Sequence, residues 1–123
     1  MIRVAINGYG RIGRSILRAV YESKLQDQVK IVAINEPADN KTIAHLTRYD
    51  STHGRFLGEV NCDKNTLTVC GDSIAIVHQD DLDQLPWAAL KIDVVLECSG
   101  SFSDRNNAEK HLHSGAKRVL FSQ

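Results

Sequence analysis

Six residues, Gly8-Tyr9-Gly10-Arg11-Ile12-Gly13, narrow the folds open to this chain more than any other feature. They follow an apolar run at residues 3–7 without a gap, and they open residues 11–23, where Ile12, Ile16, Ala19 and Val20 recur at helical spacing. Gly-x-Gly-x-x-Gly alone arises by chance in a chain with eight glycines, but between a strand and a helix it has a definite physics. Gly8 permits the tight turn, Gly10 removes a Cβ so that the backbone can approach a pyrophosphate, and Gly13 lets helix and strand pack closely. The free N–H groups and the positive end of the helix dipole then face the phosphates. A strand-to-helix turn without a ligand is the bland alternative.

The rest of the chain extends the same pattern. Val29–Asn35 is a second β-branched run, closed by Glu36-Pro37 because proline donates nothing to a strand ladder. Asp39 or Asn40 can cap a helix carrying Ile43 and Leu46, after which residues 49–54 read as a polar loop. Residues 59–62, 66–70 and 73–78 are short and partly alternating, with Gly71-Asp72 suited to a two-residue hairpin turn, so an antiparallel insertion is expected. A short helix at 82–90 around Trp87, a buried strand at 93–98, a helix capped by Ser103 or Asp104 and ending near Gly115, and a last strand at Arg118–Phe121 complete the order. Alternating strands and helices imply an α/β fold, a mostly parallel sheet with helices on both faces.

At 123 residues the chain has the length of one domain, and no linker, repeat or low-complexity tract divides it. Hydrophobic residues at 42% and charged ones at 24% are those of an ordinary globular protein. Fifteen basic residues balance fifteen acidic ones, which gives no electrostatic argument for nucleic acid or an anionic membrane surface as partner. The run after Met1 is too short for a secretory signal, and no apolar stretch approaches the ~20 residues of a membrane span, so a cytoplasmic location is expected. Cys62, Cys70 and Cys98 form no Cys-x-x-Cys pair, and reduced thiols are expected, with no metal site.

Glu36 stands at the carboxyl end of the second strand, near the ~20-residue offset at which dinucleotide folds place a ribose-binding carboxylate. A carboxylate there accepts from ribose hydroxyls and repels a 2′-phosphate, which favours NAD over NADP; a solvated turn residue is the other reading. Ser99, Gly100 and Ser122 sit at strand carboxyl ends, where open α/β sheets bind ligands, although plain turns read nearly as well. Phe102 suits an adenine stack and a core position equally. Arg14 and Arg18 read as a solvated helix face. The histidines suggest no site: His111 and His113 point to different sides of a helix, and His53 reads as a surface residue. Cys98 reads as a buried apolar cysteine rather than a nucleophile. No nucleophile with a base is found, as if the catalytic half of a larger enzyme were absent.

Taken together, Ala5-Ile6-Asn7-Gly8-Tyr9-Gly10-Arg11-Ile12-Gly13-Arg14, Val32-Ala33-Ile34-Asn35-Glu36, Tyr49-Asp50-Ser51-Thr52-His53-Gly54 and Glu97-Cys98-Ser99-Gly100 resemble the amino-terminal NAD domain of the glyceraldehyde-3-phosphate dehydrogenase family. The resemblance covers essentially the whole chain. It implies a Rossmann-type, doubly wound fold over residues 1–123, NAD as cofactor, a sugar-phosphate aldehyde as substrate, and a homotetramer for the intact enzyme. Carried over by position, its cofactor contacts fall on Arg11 and Ile12 in the turn, Glu36 at the ribose, Ser99 and Gly100 after their strand, and Ser122 near the nicotinamide. With Asn7, Gly8, Gly10, Gly13 and Phe102 these make up the expected site. Asp80 stands where the family usually has an arginine at the adenine end, a departure that puts the side-chain contact in question and leaves a main-chain one.

The resemblance also implies a mechanism. A cysteine thiolate attacks the aldehyde, a histidine removes the proton, and hydride passes to the nicotinamide to leave a thioester. Phosphate resolves that thioester in the glycolytic branch and water in the branch that oxidises D-erythrose 4-phosphate towards pyridoxal phosphate. Residues 35–39 and Leu85-Pro86-Trp87 are more similar to the second branch. The cysteine belongs to a family motif, Ser-Cys-Thr-Thr-Asn, and the histidine to a later segment, and neither occurs in these residues. The chain alone is therefore expected to be inactive, and a stand-alone NAD-binding or interaction module is the competing reading.

Overall fold

The computed structural model describes residues 1–36, 40–50, 54–55, 58–99 and 105–121. Strand β1 (Ile2–Asn7) lies inside a seven-stranded sheet, and Val4, Ala5, Ile6 and Asn7 in it are buried. Helix α1 (Arg11–Glu22) leads to β2 (Val29–Asn35), parallel to β1. After α2 (Asn40–Arg48) come the short strands β3 (Tyr49–Asp50) and β4 (Gly54–Arg55), then β5 (Val60–Asp63), β6 (Thr66–Val69) and β7 (Asp72–Val77). A 3₁₀ turn (Leu82–Gln84), β8 (Val94–Glu97), α3 (Arg105–His113) and β9 (Arg118–Phe121) follow. The sheet order is β5-β6-β7-β2-β1-β8-β9. From β7 to β9 the neighbours are parallel, while β5, β6 and β7 pair antiparallel. The expected antiparallel insertion is thus an extension of the main sheet, joined to it through β7 and β2.

Among the described residues, two cores lie against this sheet. Leu17 and Val20 of α1 and Ile43 and Ala44 of α2 pack with Val4, Ile6, Ile31 and Ile34. Ala5, Val32, Ala33 and Val95 pack instead with Leu82, Leu85, Trp87 and Ala116. Adjacent residues Val32 and Ala33 share a core because the pairing register skips between Val4↔Ile31 and Ala5↔Ala33, a bulge that breaks the strict alternation of faces. Among the described residues, no helix is long and apolar enough to cross a membrane.

Several local expectations change. Residues 82–90 are not a helix: only Leu82–Gln84 make a 3₁₀ turn, because Pro86 holds Leu85 extended at φ −71°, ψ 142°. Residues 49–54 are not wholly loop, since Tyr49 and Asp50 pair with Arg55 and Gly54. The hairpin turn falls one residue early, on Cys70 and Gly71, whose φ angles of 51° and 87° suit a primed turn between Val69 and Asp72. Helix α1 buries Gly13, Leu17, Val20 and Tyr21, leaving Ile12 and Ala19 exposed. Arg18 is therefore buried rather than solvated: it lies three residues before Tyr21 on the buried stripe, and its guanidinium reaches Glu22 at 3.4 Å.

Candidate functional site

The chain leaves β1 for β2 on one side and later returns to place β8 on the other, so a crevice opens beyond the carboxyl ends of these strands. The three glycines of the turn do three different jobs there. Gly8 has φ +92°, and a Cβ on it would lie 2.4 Å from the Ser99 Cα, so only glycine lets the ends of β1 and β8 touch. A Cβ on Gly13 would lie 2.8 Å from the Gly8 carbonyl oxygen and 3.0 Å from Ile6 Cγ2, which seats α1 directly on β1. Gly10 is the opposite case. Its φ of −80° suits any residue, and among the described residues nothing lies within 4 Å of its missing Cβ. The space a side chain would fill is open.

Gly10 is also the N-cap of α1, with no side chain capping the helix and no acidic residue in its first turn. Its carbonyl accepts the Arg14 N–H at 3.0 Å. The N–H groups of Arg11 and Ile12, one residue each further in, have no intrahelical acceptor to satisfy them. Both side chains are exposed. An uncapped helix start above an open glycine, with no acidic residue in the helix's own first turn, fits a pyrophosphate.

Glu36 comes to this turn although it is distant in sequence. Its Oε1 accepts the Tyr9 N–H at 2.7 Å, its own N–H donates to the Val77 carbonyl at 2.9 Å, and its carbonyl receives His78 Nδ1 at 2.6 Å. The carboxylate is thereby held at the end of β2 beside the glycine turn. Tyr9 ties the same turn to α2: its buried hydroxyl is 2.6 Å from Thr47 Oγ1, which donates to the Ile43 carbonyl at 2.8 Å. Burial pushes the Tyr9 phenol up to about 12, against a smaller opposing pull from Thr47.

Beneath the turn runs a chain of buried hydrogen bonds. Asn7, at 2% exposure, donates to Glu97 Oε2 at 2.7 Å and accepts from Asn35 Nδ2 at 2.6 Å. Glu97, also at 2% exposure, further accepts from His111 Nε2 at 2.7 Å and from both the N–H and the Oγ of Ser99 at 3.1 and 2.6 Å. Trp87 Nε1 donates to His111 Nδ1 at 3.1 Å. Removal from water pushes the Glu97 carboxyl up, but the bonds from His111, Ser99 and Asn7 together bring it below its ordinary value.

Of the residues expected at the site, Asn7, Gly8, Gly10, Arg11, Ile12, Gly13, Glu36 and Ser99 gather around this crevice. Gly100, Phe102 and Ser122 lie outside the described residues, as do Pro37, Ala38, Asp39, His53, Ser103 and Asp104. Asp80 is exposed in the segment after β7. His111 and His113 do face different ways, one buried and one exposed, but the expectation that the histidines mark nothing is corrected: His111 belongs to the buried chain under the site. Glu97, Asn35 and Trp87 were missed with it. The available signal was a charged residue closing the otherwise apolar strand Val94–Glu97. Cys98 is half-buried, packs against the core, and donates its N–H to the Asn7 carbonyl at 2.8 Å. Burial pushes the Cys62 and Cys70 thiols up, away from the reactive thiolate.

One comparison with known families bears on this geometry. The family model described as glyceraldehyde 3-phosphate dehydrogenase, NAD binding domain, matches residues 2–105 of the 123.

Proposed function

Since the chain belongs to the glyceraldehyde-3-phosphate dehydrogenase family and carries its NAD-binding domain, we propose that it holds NAD in the crevice beyond β1 and β8 for the oxidation of D-erythrose 4-phosphate to 4-phospho-D-erythronate. Bound NAD supplies the hydride acceptor. The observation that carries the binding reading is the contrast among the turn glycines, with Gly8 and Gly13 closed against protein atoms and Gly10 open. In this reading the Arg11 and Ile12 N–H groups receive the pyrophosphate, Glu36 accepts from the adenosine ribose, and Asn7 and Ser99 border the crevice. Gly100, Phe102 and Ser122 complete the proposed contacts. A negative Glu36 disfavours the 2′-phosphate of NADP by like-charge repulsion at short range.

The substrate rests on sequence likeness: residues 35–39 and 85–87 are more similar to the erythrose-4-phosphate branch than to the glycolytic one. The thiolate and histidine that the chemistry needs belong to motifs not found in these 123 residues, so this chain contributes binding and orientation. The intact enzyme is proposed to be a cytoplasmic homotetramer. Its test is kcat/KM for erythrose 4-phosphate and glyceraldehyde 3-phosphate, each with and without inorganic phosphate. Preference for the four-carbon aldehyde without need of phosphate is expected. A preference for the three-carbon aldehyde with strict phosphate dependence would assign the glycolytic reaction instead.

A further inference from the structure

Hydrogen-bond polarity in the buried chain is set from both of its ends. At one end the main chain of Gln79 donates its N–H to Asn35 Oδ1 and accepts from Asn35 Nδ2, both at 2.9 Å, so the Asn35 amide has a single orientation. Asn35 Nδ2 therefore faces Asn7 Oδ1, and Asn7 must present its own Nδ2 to Glu97. At the other end the Trp87 indole can only donate, so His111 Nδ1 must accept and the ring proton sits on Nε2, aimed at the same carboxylate oxygen. Ser99 adds its N–H and Oγ on the other oxygen. No amide flip reverses this order, because neither the Gln79 peptide nor the indole has a second way to bond. Oε2 is thus confined to accepting, from Asn7 and His111, and Oε1 accepts the Ser99 N–H; the Ser99 hydroxyl, free to turn, donates to the same oxygen of a carboxyl that these bonds hold below its ordinary value.

We propose that Glu97 is a positioning residue for the cofactor, whose charge, and not only its shape, holds Asn7 next to the glycine turn and Ser99 against Gly8 at the width the dinucleotide needs. Asn7 immediately precedes Gly8, and Ser99 is the residue that a Gly8 side chain would strike. Both walls of the crevice hang on one carboxylate, each on a different oxygen. His111 links that carboxylate to α3 and, through Trp87, to the second core. The proposal rests on the NAD reading of the crevice, and its test keeps the two apart.

The first measurement needs no cofactor: nitrogen NMR of the His111 ring in the wild-type 123-residue chain at neutral pH. A protonated Nε2 and a bare Nδ1 are expected, and a proton on Nδ1 in the folded chain would overturn the polarity argument. The second is NAD affinity in Glu97→Gln, which keeps the shape but turns one acceptor into a donor facing donors. Affinity is expected to fall by about tenfold or more, the factor equivalent to about 1.4 kcal/mol, in a folded variant. Wild-type affinity in folded Glu97→Gln would overturn the positioning role. Should that variant not fold, Trp87→Phe removes the indole donor while keeping a ring in the core. It is expected to let the His111 proton redistribute and to weaken NAD binding several-fold, and no change in either would overturn the proposal. A wild-type chain with the expected tautomer that binds no NAD would overturn the cofactor reading, and the positioning role with it, while leaving the hydrogen-bond polarity standing.

Discussion

Gly10→Ala puts a methyl where nothing among the described residues lies within 4 Å and where φ, at −80°, already suits an L residue. Alanine is a poorer N-cap than glycine, which costs about 0.5–1 kcal/mol, while the loss of freedom in the unfolded chain returns about 0.4–1 kcal/mol. The two offset to within about 1 kcal/mol, so Tm should move by no more than about 5 °C. NAD affinity should nevertheless collapse, because the methyl occupies the open space over the helix start. Gly8→Ala is the matched control. There the left-handed φ of +92° costs about 1–2 kcal/mol, and a Cβ 2.4 Å from the Ser99 Cα forces backbone apart for about 1–3 kcal/mol more. A domain of this size has about 5–15 kcal/mol in total, so its Tm should fall by more than about 10 °C. Circular-dichroism melts paired with NAD titrations read both variants. Folded Gly10→Ala with wild-type affinity would refute the phosphate-turn argument, and Gly8→Ala melting like wild type would refute the steric one.

Three further outcomes follow from single contacts. Glu97 has its carboxyl lowered in the fold, so it contributes stability that is fully present above the ordinary value of 4.5 and is lost as pH falls through the lower folded value; Tm should decline in that acid window, and a Tm flat across it would contradict the buried carboxylate. Thr47→Val keeps the shape but leaves the buried Tyr9 hydroxyl without its 2.6 Å partner, which should cost about 1–3 kcal/mol by denaturant unfolding, and an unchanged midpoint would count against this link. Gly115→Ala, at φ +120° with its Cβ 2.3 Å from the Ala88 nitrogen, should destabilise at least as much as Gly8→Ala, and equal stability to wild type would show the close approach to be wrong.

What the chain discloses in advance depends on range. The strand, turn and helix at residues 2–22 were legible because glycine spacing and apolar periodicity are local signals, and the structure shows the tight turn expected of Gly8 and the close helix–strand packing expected of Gly13. The place of Glu36 beside the turn was legible by its offset from the glycines, although its bond to the Tyr9 N–H was not. Local reading erred at 82–90, where the apolar spacing around Trp87 outweighed Pro86 in the expectation but not in the fold. It also set Arg18 on a solvated face, because the buried stripe of α1 is decided by where β1 lies beneath it. The Gln79–Asn35–Asn7–Glu97–His111–Trp87 chain was out of reach. Its members come from separate strands, a helix and a turn, and only the sheet order brings them together.

Calorimetric titration of NAD and of NADP into the 123-residue chain tests the central claim most directly, because the glycine turn serves the pyrophosphate of both and Glu36 distinguishes them. NAD should bind, and more tightly than NADP by at least about tenfold, since the extra phosphate meets the Glu36 carboxylate. Equal or tighter binding of NADP would contradict the role given to Glu36, and failure of the folded chain to bind NAD at all would contradict the assignment of the crevice.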